Sequence, residues 1–364
     1  MDAQDPALSR LMDQVADACA HRSPLEIRGG GTKLFYGEPP AGELLDVSGL
    51  SGITSYEPSE LVVTARAGTA LHELETLLES QGQCLPFEPP RFADGGTLGG
   101  MIAAGLSGPA RASAGSVRDH LLGVTLLNGR GEILTFGGQV AKNVAGYDVS
   151  RLMAGSLGIL GVICEVSLKI MPASIATATL EFDCDERQAL EYFAFWAAQP
   201  LPINATAWHD GRLHVRLAGA RAAVAAACSR LDGSQMPPQH AESWWLSVRD
   251  HTEPFFALSQ AEAAAGKMLW RLSVPAITAA LELPGDQFIE WNGAQRWWKT
   301  DADAAEIRAL AARVGGHATL MRGADKSGGV FAPLNEVLMR IHHGLKRAFD
   351  PDRIFNRGRL YADL

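Results

Sequence analysis

Three consecutive glycines, Gly29, Gly30 and Gly31, follow a short apolar run, Leu25-Glu26-Ile27, that reads as a strand. With no Cβ atoms the backbone can bend sharply, approach a ligand closely and converge its bare N–H groups on an anion. Thr32 adds a hydroxyl, and Arg28 and Lys33 add positive charge. The hexapeptide suits a pyrophosphate, and it equally suits a strand-ending turn with two surface cations. Further glycine clusters favour the first reading: Gly95-Gly96-Thr97-Leu98-Gly99-Gly100, Gly115-Ser116-Val117-Arg118-Asp119, Asn143-Val144-Ala145-Gly146-Tyr147-Asp148 and Gly155 to Val162. None follows a strand as G-x-G-x-x-G, so a Rossmann domain is not supported. Gly266-Lys267 imitates a P-loop end, but Ala261 and Met268 stand where Gly and Ser/Thr would be needed.

Glycine and tryptophan divide the chain. Residues 1–172 hold 25 of the 38 glycines and no tryptophan, whereas residues 173–364 hold 13 glycines and all eight tryptophans. Glycine marks where backbone meets ligand, and tryptophan marks packing or contact surface. A boundary is therefore expected near residue 173, and 364 residues suffice for two domains. The net charge of −9 argues against nucleic acid as a partner. Cys19, Cys84, Cys164, Cys184 and Cys228 are odd in number and never spaced C-x-x-C, which fits reduced thiols in a cytoplasmic protein with no zinc or iron–sulfur site. Met1 to Ala20 lacks a cationic start followed by an apolar stretch, so no signal peptide is expected. No run of about 18 apolar residues spans a membrane. Any membrane association is thus expected through partners.

Strand 61–67 precedes a helix capped by Thr69 and running to about Gln81, with Leu71, Leu74, Leu77 and Leu78 on one face. Leu121 to Leu127 and Glu132 to Phe136 read as a hairpin around Asn128-Gly129-Arg130-Gly131. A short helix is expected from Asp148 to Ala154, then a strand from Gly161 to Met171. Beyond Pro172 the order strand (176–182), helix (186–198), hairpin at Asp210-Gly211 and helix (221–231) recurs as strand 267–274, helix 277–283, hairpin at Asn292-Gly293, helix 303–313 and strand 317–321. Two such units predict an antiparallel sheet covered by helices, of ferredoxin-like type. Residues 234–254, with Pro237-Pro238 and Trp244-Trp245, read as an irregular link. Because neighbouring residues point different ways, one tryptophan of each pair, Trp244-Trp245 and Trp297-Trp298, could face outward. Residues 333–349 suggest an amphipathic helix, and the aromatic tail from Phe355 to Tyr361 is expected to dock.

These strings together resemble the PCMH-type FAD-binding domain of the vanillyl-alcohol oxidase family. They are most similar to the FAD-binding E subunits of bacterial glycolate oxidases. Pro86-Phe87-Glu88-Pro89-Pro90, Gly99 to Pro109 and Lys142 to Met153 carry the likeness, with the tail Phe355-Asn356-Arg357-Gly358-Arg359-Leu360-Tyr361 adding to it. Arg357 stands where the family usually has Pro. The resemblance implies an α+β fold: an FAD-binding domain of two α+β subdomains (1–172), an antiparallel-sheet cap (173–330) and a C-terminal helix and tail (331–364) returning to the first domain. It implies that Arg28, Gly29, Gly30, Gly31, Thr32 and Lys33 hold the pyrophosphate. Pro86, Gly96, Thr97, Leu98, Gly99, Gly100, Gly115, Ser116, Asp119, Asn143, Gly146, Tyr147, Gly158, Gly161, Val162 and Asn356 would meet the rest of FAD.

Many relatives attach flavin to a His. His21, His72 and His120 fall outside the matching loops, so FAD is expected to be non-covalent. The catalytic sisters carry G-D-G-N-x-H and G-E-H-G, and neither string occurs here. His342 and His343 project about 100° apart on a helix and make a poor chelate. Arg91, Arg322 and Lys326 are candidate anchors for a substrate carboxylate. The resemblance implies oxidation of a small 2-hydroxy acid such as glycolate or D-lactate, in a complex with a sister FAD subunit and an iron–sulfur subunit. The alternatives are a non-catalytic assembly or relay subunit and a stand-alone flavin oxidoreductase.

Overall fold

The computed structural model describes residues 5–138 and 148–364. The Pro6–His21 helix opens the chain. Asp5 caps it by accepting from the Ala7 N–H at 2.8 Å, and Leu8, Leu11, Val15 and Ala18 bury one face. Leu25–Arg28 pairs in parallel with Glu43–Asp46. A five-stranded antiparallel sheet follows, in the order Ile53–Glu57, Val62–Arg66, Val162–Lys169, Leu121–Leu127, Ile133–Gly137. Its apolar face packs on the Leu71–Ser80 and Leu98–Ala104 helices through Val63, Leu74, Leu78, Met101 and Leu168.

The expected hairpin around Asn128 is present, and Asn128 Oδ1 accepts the Arg130 and Glu132 N–H groups. Thr69 does not cap the Leu71–Ser80 helix. Its hydroxyl donates to the Gly52 carbonyl and accepts the Gly52 N–H, so a tertiary contact takes the group. The expected helix at 148–154 is only a 3-10 turn, Ser150–Met153.

The second half forms one eight-stranded antiparallel sheet ordered Ser234–Gln235, Ala176–Asp183, Arg212–Gly219, Ile203–His209, Asp286–Glu290, Gln295–Thr300, Met268–Ser273, His317–Arg322. The two repeated units join where Ala207, Trp208 and His209 pair with Glu290, Ile289 and Phe288. Helices Glu186–Ala197 and Arg221–Leu231 cover one face through Trp196, Trp208 and Val215, and Ala304–Arg313 continues that cover through Trp270, Trp298 and Ile307. The alternate residues Ala207, Leu269, Phe288, Trp297 and Met321 face the first domain and pack against Tyr36, Leu106 and Leu157.

Three expectations for this half fail for identifiable reasons. Residues 277–283 are not helical: the Arg296 guanidinium, anchored on the Gly293 carbonyl, takes the Thr278 and Ala279 carbonyls that a helix would use internally. The expected irregular link contains the Pro238–Asp250 helix. Pro238 sits in its first turn, where its missing N–H costs nothing. Ala241, Trp245 and Val248 supply a buried stripe there. Neither Trp297 nor Trp298 faces outward: they are 3% and 1% exposed because both sides of their strand are covered. Trp244 is half-buried and stacks on His214 at 3.8 Å.

The Glu336–Phe349 helix and the tail return to the first domain. Phe355 bridges to Leu25 as a parallel extension of the small sheet. The buried Lys346 ammonium donates to the Ile159 and Phe355 carbonyls and to Asp350. Asp350 in turn accepts the Ile354 and Phe355 N–H groups.

Candidate cofactor cleft

The strand Leu25–Arg28 ends at a cleft of about 800 Å³, open mouth included. Its walls come from the segment Glu26–Leu34, one side of the Leu98–Ala104 helix, the turn Leu157–Gly158, and the tail residues Asn356 and Arg359. Apolar side chains, Ile27, Val47, Ala103, Leu157 and Ile163, line it together with the polar backbone.

The glycine segment is shaped by a second loop. A Cβ on Gly30 would stand 1.5 Å from the Gly95 carbonyl oxygen, and one on Gly29 would stand 2.3 Å from Thr97 Oγ1. Gly31 adopts φ +70°. Among the described residues, no acceptor takes the N–H of Gly29, Gly30, Gly31, Thr32 or Lys33. Successive N–H groups left free at a cleft form a nest for an anion. Thr97 caps the adjacent helix by accepting from the Gly100 N–H at 3.3 Å, and Leu98 and Gly99 donate to Thr69 and Ala67. The second loop therefore supplies shape more than free donors.

Charge concentrates at the same place. Arg28 pairs with the buried Glu26. Lys33 lies 5.6 Å from the centre of the Phe92 ring, and its Nζ donates to Thr32 Oγ1 at 3.3 Å. Burial lowers its pKa to about 8, against the opposing pull of Asp250 and Glu75.

The tail holds the cleft in register. Asn356 Oδ1 accepts the Ile27 N–H at 2.7 Å, and Nδ2 donates to the Leu157 carbonyl at 2.6 Å. One amide thus ties the two walls together. Arg359, 6% exposed, donates to the carbonyls of Lys33, Leu34, Tyr36 and Glu38. From the second domain, Lys326 donates to the Phe35 and Gly37 carbonyls, and Glu38 accepts the Val330 N–H.

Of the expected contacts, Arg28 to Lys33, Thr97, Gly99, Gly100, Gly158, Gly161 and Asn356 meet at this cleft. Gly96 abuts it, and a Cβ there would stand 3.4 Å from Thr32 Oγ1. Leu98 and Val162 turn into hydrophobic cores, and Pro86 lies half-buried between the core residues Leu85 and Phe87. Gly115, Ser116 and Asp119 do not line the cleft. Asp119 accepts the Ser116 N–H and hydroxyl at 2.8 Å and caps the Val117–His120 turn. Asn143, Gly146 and Tyr147 lie outside the described residues. Glu26, Val47, Ala103 and Arg359 line the cleft without having been expected. Only Arg359 carried a signal, its place three residues after Asn356 in the aromatic tail.

The candidate carboxylate anchors are engaged elsewhere. Arg91 pairs with Glu75, Lys326 holds backbone carbonyls, and the Arg322 guanidinium lies 4.5 Å from the centre of the Phe35 ring. His342 Nδ1 donates to the Leu338 carbonyl of its own helix at 2.8 Å, and His343 lies 3.2 Å from Asp363. Among the described residues, no group of His, Cys, Asp and Glu is placed to hold a metal ion.

Comparison with known proteins agrees with this geometry. An FAD binding domain family model matches residues 9–137. The chain is 44% identical to glycolate oxidase subunit GlcE of Escherichia coli (strain K12), over 97% of both chains. The chain belongs to the GlcE family. It is also 33% identical to glycolate oxidase subunit GlcD of Bacillus subtilis (strain 168), over 44% of this chain and 34% of that one. Among solved structures, an alkyldihydroxyacetonephosphate synthase shares the fold at a TM-score of 0.63 and 15% identity, covering 96% of this chain and 75% of that chain. The cleft fits FAD: a glycine cradle with free N–H groups beside Lys33 suits the pyrophosphate, and the apolar walls suit the rest. The family is one of FAD-dependent oxidoreductases that include 2-hydroxy-acid enzymes. Among the described residues, no helix is long and apolar enough to cross a membrane.

Proposed function

We propose that the chain holds FAD non-covalently in the cleft and serves a glycolate-oxidising complex, together with a sister FAD subunit and an iron–sulfur subunit. FAD, when bound, supplies two-electron oxidation and reduction. The observation that carries the reading is the row of free N–H groups from Gly29 to Lys33, pressed into place by Gly95. Gly29 to Lys33 bind the pyrophosphate. Lys33 supplies the counter-charge, with Arg28 held at the rim by Glu26. Asn356 and Arg359 orient the loop, and Ile27, Val47 and Ile163 exclude water from the cleft.

A relay or assembly role has one specific observation in its favour. The face of the large sheet that meets the first domain is filled by Tyr36, Leu157, Phe256, Phe288 and Trp297. That packing favours electron passage to a partner over direct oxidation of a free 2-hydroxy acid. Acid precipitation should release the yellow colour into the supernatant, and colour in the pellet would refute non-covalent binding. The isolated, FAD-loaded chain should reduce a dye poorly with glycolate or D-lactate and gain activity on adding both partner subunits. Turnover by the isolated chain of about 10 s⁻¹, typical of a competent enzyme, would overturn the relay role.

A further inference from the structure

The Glu336–Phe349 helix is attached to the molecule by only part of its circumference. Lys346 is buried, and Leu345 and Phe349 pack on the first-domain core. Its most apolar stripe is left in solvent. Val337 is 54% exposed and Ile341 52%, and Leu338 beside them is 43% exposed. Gly344 and Ala348, also exposed, extend the line. The spacing 337, 341, 344, 348 follows the four–three–four rhythm of a helix–helix seam. A Cβ on Gly344 would meet nothing within 4 Å among the described residues, so the gap there is free for another helix to approach closely.

The flank of the stripe says what kind of helix fits. Arg340 and Arg347 lie seven residues apart on the same side, both exposed, and neither pairs with a carboxylate among the described residues. An antiparallel second copy of this helix would set Arg340 against Arg347 along that side, which is unfavourable. The chain as a whole carries −9, so a local pair of arginines beside an apolar seam selects an anionic partner against the general trend of the surface.

We propose that this face docks an amphipathic helix of a partner subunit, with a small-residue or aliphatic seam and acidic residues along the edge that meets Arg340 and Arg347. The assignment rests on the proposed membership in a multi-subunit complex. It goes further by naming the surface and the chemistry of what covers it.

The chain would be co-expressed with a tagged GlcD-type subunit and the iron–sulfur subunit, and recovered through the tag. The test variants are Gly344→Leu, which fills the open gap, and the charge reversal Arg340→Glu with Arg347→Glu. Each is exposed and away from the cleft, so FAD content and melting temperature of the isolated variants should match the unaltered chain. Recovery of each variant with its partners should fall about tenfold or more, as for a central contact residue. Full recovery of both would overturn the docking surface while leaving the complex intact. An unaltered chain that captures neither partner would overturn the complex reading and this surface with it. An isolated chain that is dimeric and becomes monomeric with Gly344→Leu would overturn it in favour of self-association. Loss of binding to anionic vesicles in the charge-reversed chain, with subunit recovery unchanged, would overturn it in favour of a membrane surface.

Discussion

The two halves of this molecule solve opposite problems. In the first, backbone must approach backbone: Gly30 lies against Gly95, and Gly99 against Ala67, so that two loops shape a cleft. In the second, large side chains must fill space: Trp270 and Trp298 are paired across neighbouring strands beneath a helix. Glycine spends stability to shape a binding surface, and tryptophan spends volume to gain stability. Ligand binding and fold stability should therefore respond separately to substitutions in the two halves.

The largest expected effect on stability comes from the second half. Trp298→Ala removes a side chain that is 1% exposed and should cost about 3–5 kcal/mol. Chemical denaturation would measure it, and the molecules that remain folded should keep their FAD. Loss of flavin in proportion to no loss of fold would break the comparison.

Gly30→Val should do the reverse. A branched Cβ placed 1.5 Å from the Gly95 oxygen forces the two loops apart. Flavin content should drop to background while the circular-dichroism spectrum persists. The loss of ligand stabilisation amounts to about 2.7 kcal/mol at ligand 100 times Kd. Full flavin content in this variant would show that the loop is not the pyrophosphate site.

Asn356→Ala tests whether the tail belongs functionally to the first half. It leaves the Ile27 N–H and the Leu157 carbonyl without their partner. A cost of about 1–3 kcal/mol is expected for such groups, with weaker FAD retention seen by equilibrium titration. Unchanged FAD affinity would confine the tail to a packing role.

Glu290→Gln probes a buried acid in the second half. Burial pushes the Glu290 pKa up to about 7, although Trp297 Nε1 and Gln295 Nε2 donate to its carboxyl at 2.6 and 3.1 Å. Between about pH 4.5 and 7 the folded state thus holds a proton that the unfolded state has lost. Stability from this group is full at low pH and falls as pH rises through that window. Gln should flatten the dependence and stabilise the protein above pH 7 by on the order of 1 kcal/mol. Melting curves across the window decide it, and an unaltered slope would assign the pH dependence to other groups.

Local pattern made much of both halves readable. The hairpin at Asn128-Gly129 and the helix Arg221–Leu231 stand where turn chemistry and periodicity placed them, because those signals lie within a few adjacent residues. Reading failed where a distant group intervened. Arg296 captured the carbonyls of a would-be helix at 277–283, and Gly52 captured the hydroxyl of Thr69. It failed also at Pro238, where a residue that breaks helices internally sits at a helix start.

By itself the sequence determined that glycine loops and aromatic sheet belong to separate parts of the chain, and that Arg28 to Lys33 can cradle an anion. Both follow from which atoms the side chains possess or lack. Only the tertiary structure brought Asn356 and Arg359, more than 300 residues away, to the walls of that cleft. Hydrogen bonds such as that from Asn356 Nδ2 to the Leu157 carbonyl depend on where the completed fold returns the tail, and no local spacing encodes that return.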